Sequence, residues 1–264
     1  MSLQDTVIQQ APIARSRATR RERQHQLLAL FAACLAAVLL LAAAIGAVPI
    51  PLVSAVFGGE GLSDLHRTVL QEIRFPRIVT AAFVGAALAV TGAALQGLFR
   101  NPLAEPQLIG VSGGAALGAV GMIVIGEQLS LPEWSVPYSL PLAAFLGASL
   151  VTACLYWFAA GRRQQGVAVL LLVGIAINAI TAVGIGAFTY FSDDGQLRTL
   201  TFWTMGSFGG SSWEKALPAI VLISLALALL LAGARRLDLL QLGEAEARHV
   251  GVDVNGLKRL VVFS

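Results

Sequence analysis

The sequence predicts an all-α, polytopic transmembrane helical bundle with about six complete spans and the start of a seventh. Three observations carry that expectation. Apolar residues make up 56% of the 264 positions and charged residues only 12%, where an ordinary soluble domain carries about a quarter charged. The apolar residues gather into runs of about 20, enough for a helix rising ~1.5 Å per residue to cross a hydrocarbon core of ~30 Å. Between the runs lie segments rich in proline, glycine and charge, where a helix stops and meets water.

Taken in order, residues 1–26 form a polar tail with Arg15, Arg17, Arg20, Arg21 and Arg23 just ahead of the first apolar run. A secretory signal also starts basic, but the run at 27–48 is longer than a signal core and lacks a convincing cleavage site, so it reads as a retained span. Residues 49–75 are mixed, with Pro49, Pro51, Gly58, Gly59 and Gly61 as breakers and a short amphipathic stretch, LHRTVLQEI. Two spans follow at 76–98 and 107–126, joined by RNPLAEP, whose two prolines and charges make a tight membrane hairpin. Further spans are expected at 138–160, 167–190 and 216–234. GRRQQG turns the chain between the first two of these, and a longer polar and aromatic connection precedes the last. A polar segment then leads to VVFS, the start of a seventh span.

Basic residues give an orientation. With the N-terminus inside, 13 lysines and arginines fall on the inner side and 5 on the outer, as the positive-inside rule prefers. RNPLAEP, GRRQQG and the segment after residue 234 then face inward, and RFPR faces outward.

Helical spacing places Gly85, Ala89, Gly92 and Gln96 on one side of the second span, and Gly110, Gly114 and Gly118 on one side of the third. Small residues let helix backbones approach closely in lipid, so packing is the plain reading of the glycines. Gln96 and Asn178, the latter on one face with Gly174 and Thr181, each admit two readings: an interhelical hydrogen bond, or a wall of a polar path.

No aspartate or glutamate falls within the six runs. That argues against an ion- or proton-coupled carrier, which usually needs an intramembrane carboxylate. No nucleophile–base pair, metal-ligand spacing or phosphate-cradling loop stands out, so no catalytic residue, metal ligand or permanently bound cofactor is expected. Cys34 and Cys154 lie inside apolar runs as packing residues, and His25, His66 and His249 are scattered.

Three ordered motifs carry a resemblance. These are R-x-P-R at Arg74, Pro76 and Arg77; G-A-A-L-A-x-x-G-x-x-x-Q from Gly85 through Gly92 to Gln96; and N-P-L-A-x-P-x-x-x-G-V-S-x-G-A from Asn101 to Ala115. A fourth, L-x-L-L-x-L-G-E-x-x-A-x-x-x-G-V, runs to Val252. Together they resemble the permease family of bacterial binding-protein-dependent, ATP-driven importers for iron chelates, haem and cobalamin, over residues 27–264. The resemblance implies a protein of the bacterial inner membrane with a cytoplasmic N-terminus. It implies a second permease copy, a separate ATPase dimer that uses the ATP, and a periplasmic substrate-binding protein; membrane lipid surrounds the chain and no nucleic acid is involved. Carried over residue by residue, Arg74 and Arg77 would dock the binding protein, and Gln96, Asn101, Leu103 and Asn178 would line or gate the pathway. Within the cytoplasmic segment 235–257, Leu240, Leu242, Gly243, Glu244, Ala247 and Gly251 would couple to the ATPase. QLRTLTFWTMGS, with Trp203 and later Trp213, is closest to the haem branch; siderophore and cobalamin remain alternatives, as does a secondary carrier. Family permeases have about ten spans in two inverted repeats, so the chain is expected to be incomplete, with the glycine faces of its second and third spans meeting lipid or another chain.

Overall fold

The computed structural model describes residues 3–50, 63–160 and 167–264, with side chains described from residue 21 onward except at 159–160 and 167–168. Among the described residues all regular structure is helical. Six segments are long and apolar enough to cross a membrane: Arg21–Ala44, Asp64–Phe99, Val111–Gln128, Glu133–Phe158, Val169–Phe191 and Trp213–Leu240. They cover the six expected spans. Pro51, the glycines at 58, 59 and 61, and the GRRQQG turn lie outside the described residues, as do the side chains of Arg15, Arg17 and Arg20. The chain divides into two compact units, Met1–Ile78 and Val79–Ser264.

In the first unit, α1 (Leu3–Ala44) takes in most of the polar tail as well as the span, so tail and span are one helix. Ser63 caps α2 (Asp64–Thr68), its Oγ accepting the His66 N–H. Here the expected boundary is corrected. The chain does not start a helix at Pro76; it passes from α2 through a π-helical turn, Val69–Arg74, directly into α3 (Phe75–Phe99). Pro76 explains the turn. A proline offers no N–H to the carbonyl four residues back and its ring presses on that carbonyl, and the wider turn moves the ladder to a five-residue step, with Phe75 N–H donating to Leu70 O. Ala43, Ile50 and Leu70 form a small core there, flanked by Val69, Phe75 and Ile78.

In the second unit, α4 (Val111–Ile125) packs most extensively on α5 (Val136–Ala160), and then on α6 (Val167–Phe191). Glycines make the first contact possible. A Cβ on Gly114 would fall 2.6 Å from Gly147 O, one on Gly118 would overlap Ala143 O, and one on Gly147 would overlap Gly114 O. The glycine face of the third span is therefore covered by α5 at Gly114 and Gly118 and by α6 at Gly110, contrary to the expectation that it would meet lipid or another chain. The stripe on α3 differs: nothing lies within 4 Å of a Cβ built on Gly85 or Gly92.

The polar and aromatic connection at 191–215 contains α7 (Asp194–Met205). A reciprocal capping box starts it, Gln196 N–H donating to Asp193 Oδ1 at 2.8 Å and Asp193 N–H to Gln196 Oε1 at 3.3 Å. Leu200 buries the helix against Val120 and Val124. After it, α8 (Trp213–Leu240) outruns its expected end by six residues, so Arg235, Arg236 and Asp238 are helical. Two short helices, α9 (Glu244–His249) and α10 (Val254–Phe263), fold back as an elbow. Leu257 and Leu260 of α10 close over Gly233 of α8, and Phe263 meets Tyr156 of α5 edge-on at 5.2 Å.

Candidate functional site

The hairpin turn between α3 and α4 is built from its own backbone. α3 ends in a Schellman pattern: Arg100 N–H donates to Gly97 O at 3.4 Å and Asn101 N–H to Gln96 O at 3.2 Å. Arg100 takes the left-handed position at φ 51°, where glycine is the usual residue. Asn101 then accepts the Leu103 N–H through Oδ1 at 2.9 Å, an Asx turn. Leu103 is 80% exposed and Ala104 is buried beneath it. A short 3-10 turn, Pro106–Ile109, leads to Gly110 at φ 86°, which opens α4.

Asn178 of α6 reaches this turn, its Nδ2 donating to Gln107 O at 3.0 Å. Gly174, one turn earlier, lets α6 come so close that a Cβ there would overlap Leu108 O. A Cβ on Gly113 would meet Thr181 Oγ1 at 2.6 Å and Asn178 Oδ1 at 3.0 Å. Of the two readings open to Asn178, this geometry supplies the hydrogen bond. Gln96 is exposed. With Arg100 and Asn101 it lines one wall of a cavity of about 600 Å³ whose other wall is Leu237 and Asp238 of α8 and Gln241 just past its end. Gln241 Nε2 bridges the two helices by donating to Gly97 O at 3.0 Å. The pathway residues are thus divided: Gln96 and Asn101 share the cavity, Leu103 is on the surface, and Asn178 holds the turn.

The elbow turns on two glycines, Gly243 at φ 123° and Gly251 at φ 88°, conformations open to glycine and strained for most L residues. Between them Ala247 is fully buried, as is Leu240 at the end of α8. These two were expected on the coupling surface; the helix instead turns them into the unit's core, where a small and a branched apolar residue fill the space against Val252 and Leu257. Leu242 and Val250 stand out to solvent at 67% and 61% exposure, beside exposed Arg248 and His249. Glu244 is held from two sides, by Lys258 Nζ at 2.8 Å and Arg248 Nη2 at 3.7 Å.

The two arginines of RFPR separate. Arg77 is exposed. Arg74, expected on an accessible surface, is 8% exposed and donates through Nη1 to Ala43 O at 2.5 Å and to Ala44 O at 3.0 Å, and through Nη2 to Val48 O. Burial among carbonyls, which a guanidinium satisfies with several donors at once, draws it inward. Among the described residues no group of His, Cys, Asp or Glu is arranged to hold a metal.

A model of the FecCD transport family matches residues 22–264. The chain belongs to the FecCD transport family. The hemin transport system permease protein HmuU of Yersinia pestis is 47% identical over 194 residues, 73% of this chain and 57% of the relative. The vitamin B12 import system permease protein BtuC of Klebsiella pneumoniae is 39% identical over 206 residues, 78% of this chain and 60% of the relative. The cobalamin import system permease protein BtuC of Halobacterium salinarum is 40% identical over 205 residues, covering 76% and 53%. A solved structure described as an inward-facing conformation of a metal-chelate type ABC transporter superposes with a TM-score of 0.77 at 32% identity, over 90% of this chain and 71% of that one. The FecCD chain therefore spans between about half and three fifths of the length of these curated relatives.

Sequence reading missed three residues of the FecCD chain's site. Lys258 pairs with Glu244 across 14 positions, a separation that no helical spacing flags. Gln241 sits one residue past α8, and its bond to Gly97 O needs the packing of two distant helices. Asp253, whose Oδ1 caps α10 by accepting the Gly256 N–H at 3.0 Å, had a readable signal: an aspartate just ahead of an apolar periodic run.

Proposed function

We propose that this FecCD chain forms the permease part of an ATP-driven importer in the bacterial inner membrane that carries haem, or a related metal chelate, toward the cytoplasm. Family membership supports the importer class, and six helices suited to a bilayer support the location. The observation that carries the reading is the elbow. At the end of a membrane helix it presents Leu242 and Val250 beside Arg248 and His249 on a stiff, doubly glycine-hinged turn. Such a surface fits a groove on a separate ATPase dimer, which would supply the energy and hold the ATP. In this reading residues 1–26 are a cytoplasmic tail, 27–264 belong to the permease domain, and 235–257 are the coupling segment, in which Leu242 remains a contact, Val250 joins it, and Leu240 and Ala247 support it from within. Two permease copies would enclose the path, and a periplasmic binding protein would dock through Arg77. Haem is favoured because identity to the hemin permease is 47%, against 39–40% for the two cobalamin permeases.

The experiment is reconstitution of the protein in liposomes with its ATPase and binding protein, offering hemin and cobalamin in parallel. ATP-dependent accumulation of hemin over cobalamin supports the reading. Accumulation driven by a proton or sodium gradient without ATP would replace it with a secondary carrier.

A further inference from the structure

The hairpin turn after α3 and the start of the elbow after α8 lie side by side, although 144 positions separate Gly97 from Gln241. Gln241 closes α8 and donates through Nε2 to Gly97 O at 3.0 Å. The same carbonyl takes the Arg100 N–H at 3.4 Å, longer than an ordinary N–H···O bond. Its second lone pair is therefore open to the shorter bond from Gln241. Gly97 keeps the approach clear: a Cβ there would itself stand 3.4 Å from Nε2 and 3.8 Å from Leu237. A second contact lies beside the first. Arg100 Nη1 is 3.8 Å from the place a Gly243 Cβ would take, so the positive-φ arginine of the hairpin turn reaches the positive-φ glycine that opens the elbow.

Away from these points the two helices share apolar packing, Ala94 and Leu98 of α3 in one core with Leu237 and Leu240 of α8. Apolar contact is non-directional and lets surfaces slide. A hydrogen bond weakens steeply with distance and angle, so the Gln241 amide fixes a register that the apolar contacts leave free. On the other side of the tie is the cavity lined by Gln96, Asn101 and Asp238, whose shape depends on that register.

We propose that Gln241 is a positioning residue that makes the hairpin turn and the elbow move as one body, so that a displacement of the elbow at Leu242 is carried to Asn101 and Leu103. Leu242 is its exposed neighbour in the chain, and the Asn101–Leu103 bond keeps the far side of the turn rigid. The tie itself stands on geometry. Its use in transport rests on the importer reading above.

The test compares the parent with Gln241→Met, which keeps the length and removes the donor, and with Gln241→Lys, which returns a donor at a helix C-terminus, where a cation is favoured. Hydrogen exchange on the full chain in detergent reads the tie. Gln241→Met is expected to speed exchange about 2- to 10-fold both at 241–243 and at 100–104, as loss of a hydrogen bond of ordinary net strength would. Gln241→Lys should hold exchange at 100–104 within about 2-fold of the parent. Faster exchange at 241–243 alone, or at neither site, would overturn the tie, and Gln241→Lys behaving like Gln241→Met would deny the donor its role. If Gln241→Met does not accumulate, Gln241→Asn, one methylene short of the carbonyl, carries the same measurements. A second arm reconstitutes each form in liposomes with the ATPase and the binding protein and measures substrate accumulated per ATP hydrolysed. Gln241→Met should lower that ratio about 3- to 10-fold while ATP hydrolysis and capture of the ATPase stay within about 2-fold, and Gln241→Lys should restore it. A role in stability alone would lower hydrolysis and uptake together at an unchanged ratio, and that result would overturn the transmission. Absence of ATP-driven uptake by the parent would count against the importer reading, and the exchange measurement would still decide the tie.

Discussion

Lys258 Nζ donates to Glu244 Oε1 at 2.8 Å and so ties α10 back to the first residue of α9. The two side chains are only 16% and 24% exposed, which places the pair between a solvated surface bridge and a buried one. Arg248, one turn further along α9, adds a longer second contact at 3.7 Å. The elbow's shape thus depends on a charge clasp as well as on its glycines.

Breaking that clasp from either side should therefore loosen the elbow by about 1–2 kcal/mol, a hydrogen bond to a charged group being weakened here by partial exposure to solvent. Glu244→Gln and Lys258→Met are expected to lower thermal stability similarly, and the double variant should cost little more than one. A thermal-shift double-mutant cycle checks this; fully additive losses would mean the pair contributes no coupling.

Asn178 donates to the Gln107 carbonyl, so its removal leaves a turn carbonyl short of a donor. Asn178→Leu should cost about 0.6–1.7 kcal/mol, between the average and the largest value measured for such bonds between membrane helices. Asn178→Asp should cost more, since an ionised carboxylate can only accept and would face another acceptor. Melting of the three forms at neutral pH gives the order directly, and equal midpoints for Leu and Asp would remove the bond from the account.

Glycine substitutions should sort by contact. Gly147→Val places side-chain atoms where Gly114 O already lies, and is expected to cost several kcal/mol and reduce the folded protein recovered from membranes. Gly85→Ala and Gly92→Ala, with nothing within 4 Å, should be neutral or mildly stabilising through better helix propensity. Size-exclusion profiles and melting midpoints compare the three. A profile for Gly147→Val as sharp as the parent's would deny the close α4–α5 approach.

Arg100 occupies a left-handed position for which it is poorly suited. Arg100→Gly should be neutral or stabilise the turn by up to about 1 kcal/mol, the relief of the Cβ penalty being partly offset by a freer unfolded chain. Arg100→Ile, β-branched at positive φ, should destabilise it by about 1–2 kcal/mol. The Gly midpoint should lie at or above the parent's and the Ile midpoint below it, and a Gly variant less stable than the Ile one would contradict the turn geometry.

The spans were legible because lipid demands long apolar runs, and those runs survive any detail of packing. Gly114 and Gly118 were legible as a packing face, but their partner Gly147 was not, because pairing depends on which helix lies alongside. The π turn was hidden because it answers a local conflict at Pro76, and a proline reads more simply as a helix start. Arg74 was placed on the surface because nothing in RFPR points back to a helix end some 30 residues earlier. Ala247 and Leu240 were recognised as important apolar positions. Which side of the elbow they face follows from the path of the chain at Gly243, a choice that apolar periodicity alone does not make.

The shortness of α4 has a consequence for the membrane itself. Its 15 residues span about 22 Å, whereas the 25 residues of α5 span about 37 Å. A short helix adjusts to a thicker bilayer by drawing the lipid thinner, since tilting would only shorten its reach. The interlocked glycines of α4 and α5 leave it no independent choice of depth. The 3-10 turns Pro106–Ile109 and Gly126–Gln128 lengthen it at its two ends, and the hairpin turn that precedes the first of them satisfies polar groups within the protein. Its carbonyls and amides are answered by Asn101, by Asn178 and by one another, as backbone at hydrocarbon depth requires. A turn satisfied in this way tolerates either side of the headgroup boundary, so bilayers of different acyl-chain length should leave its hydrogen bonds intact.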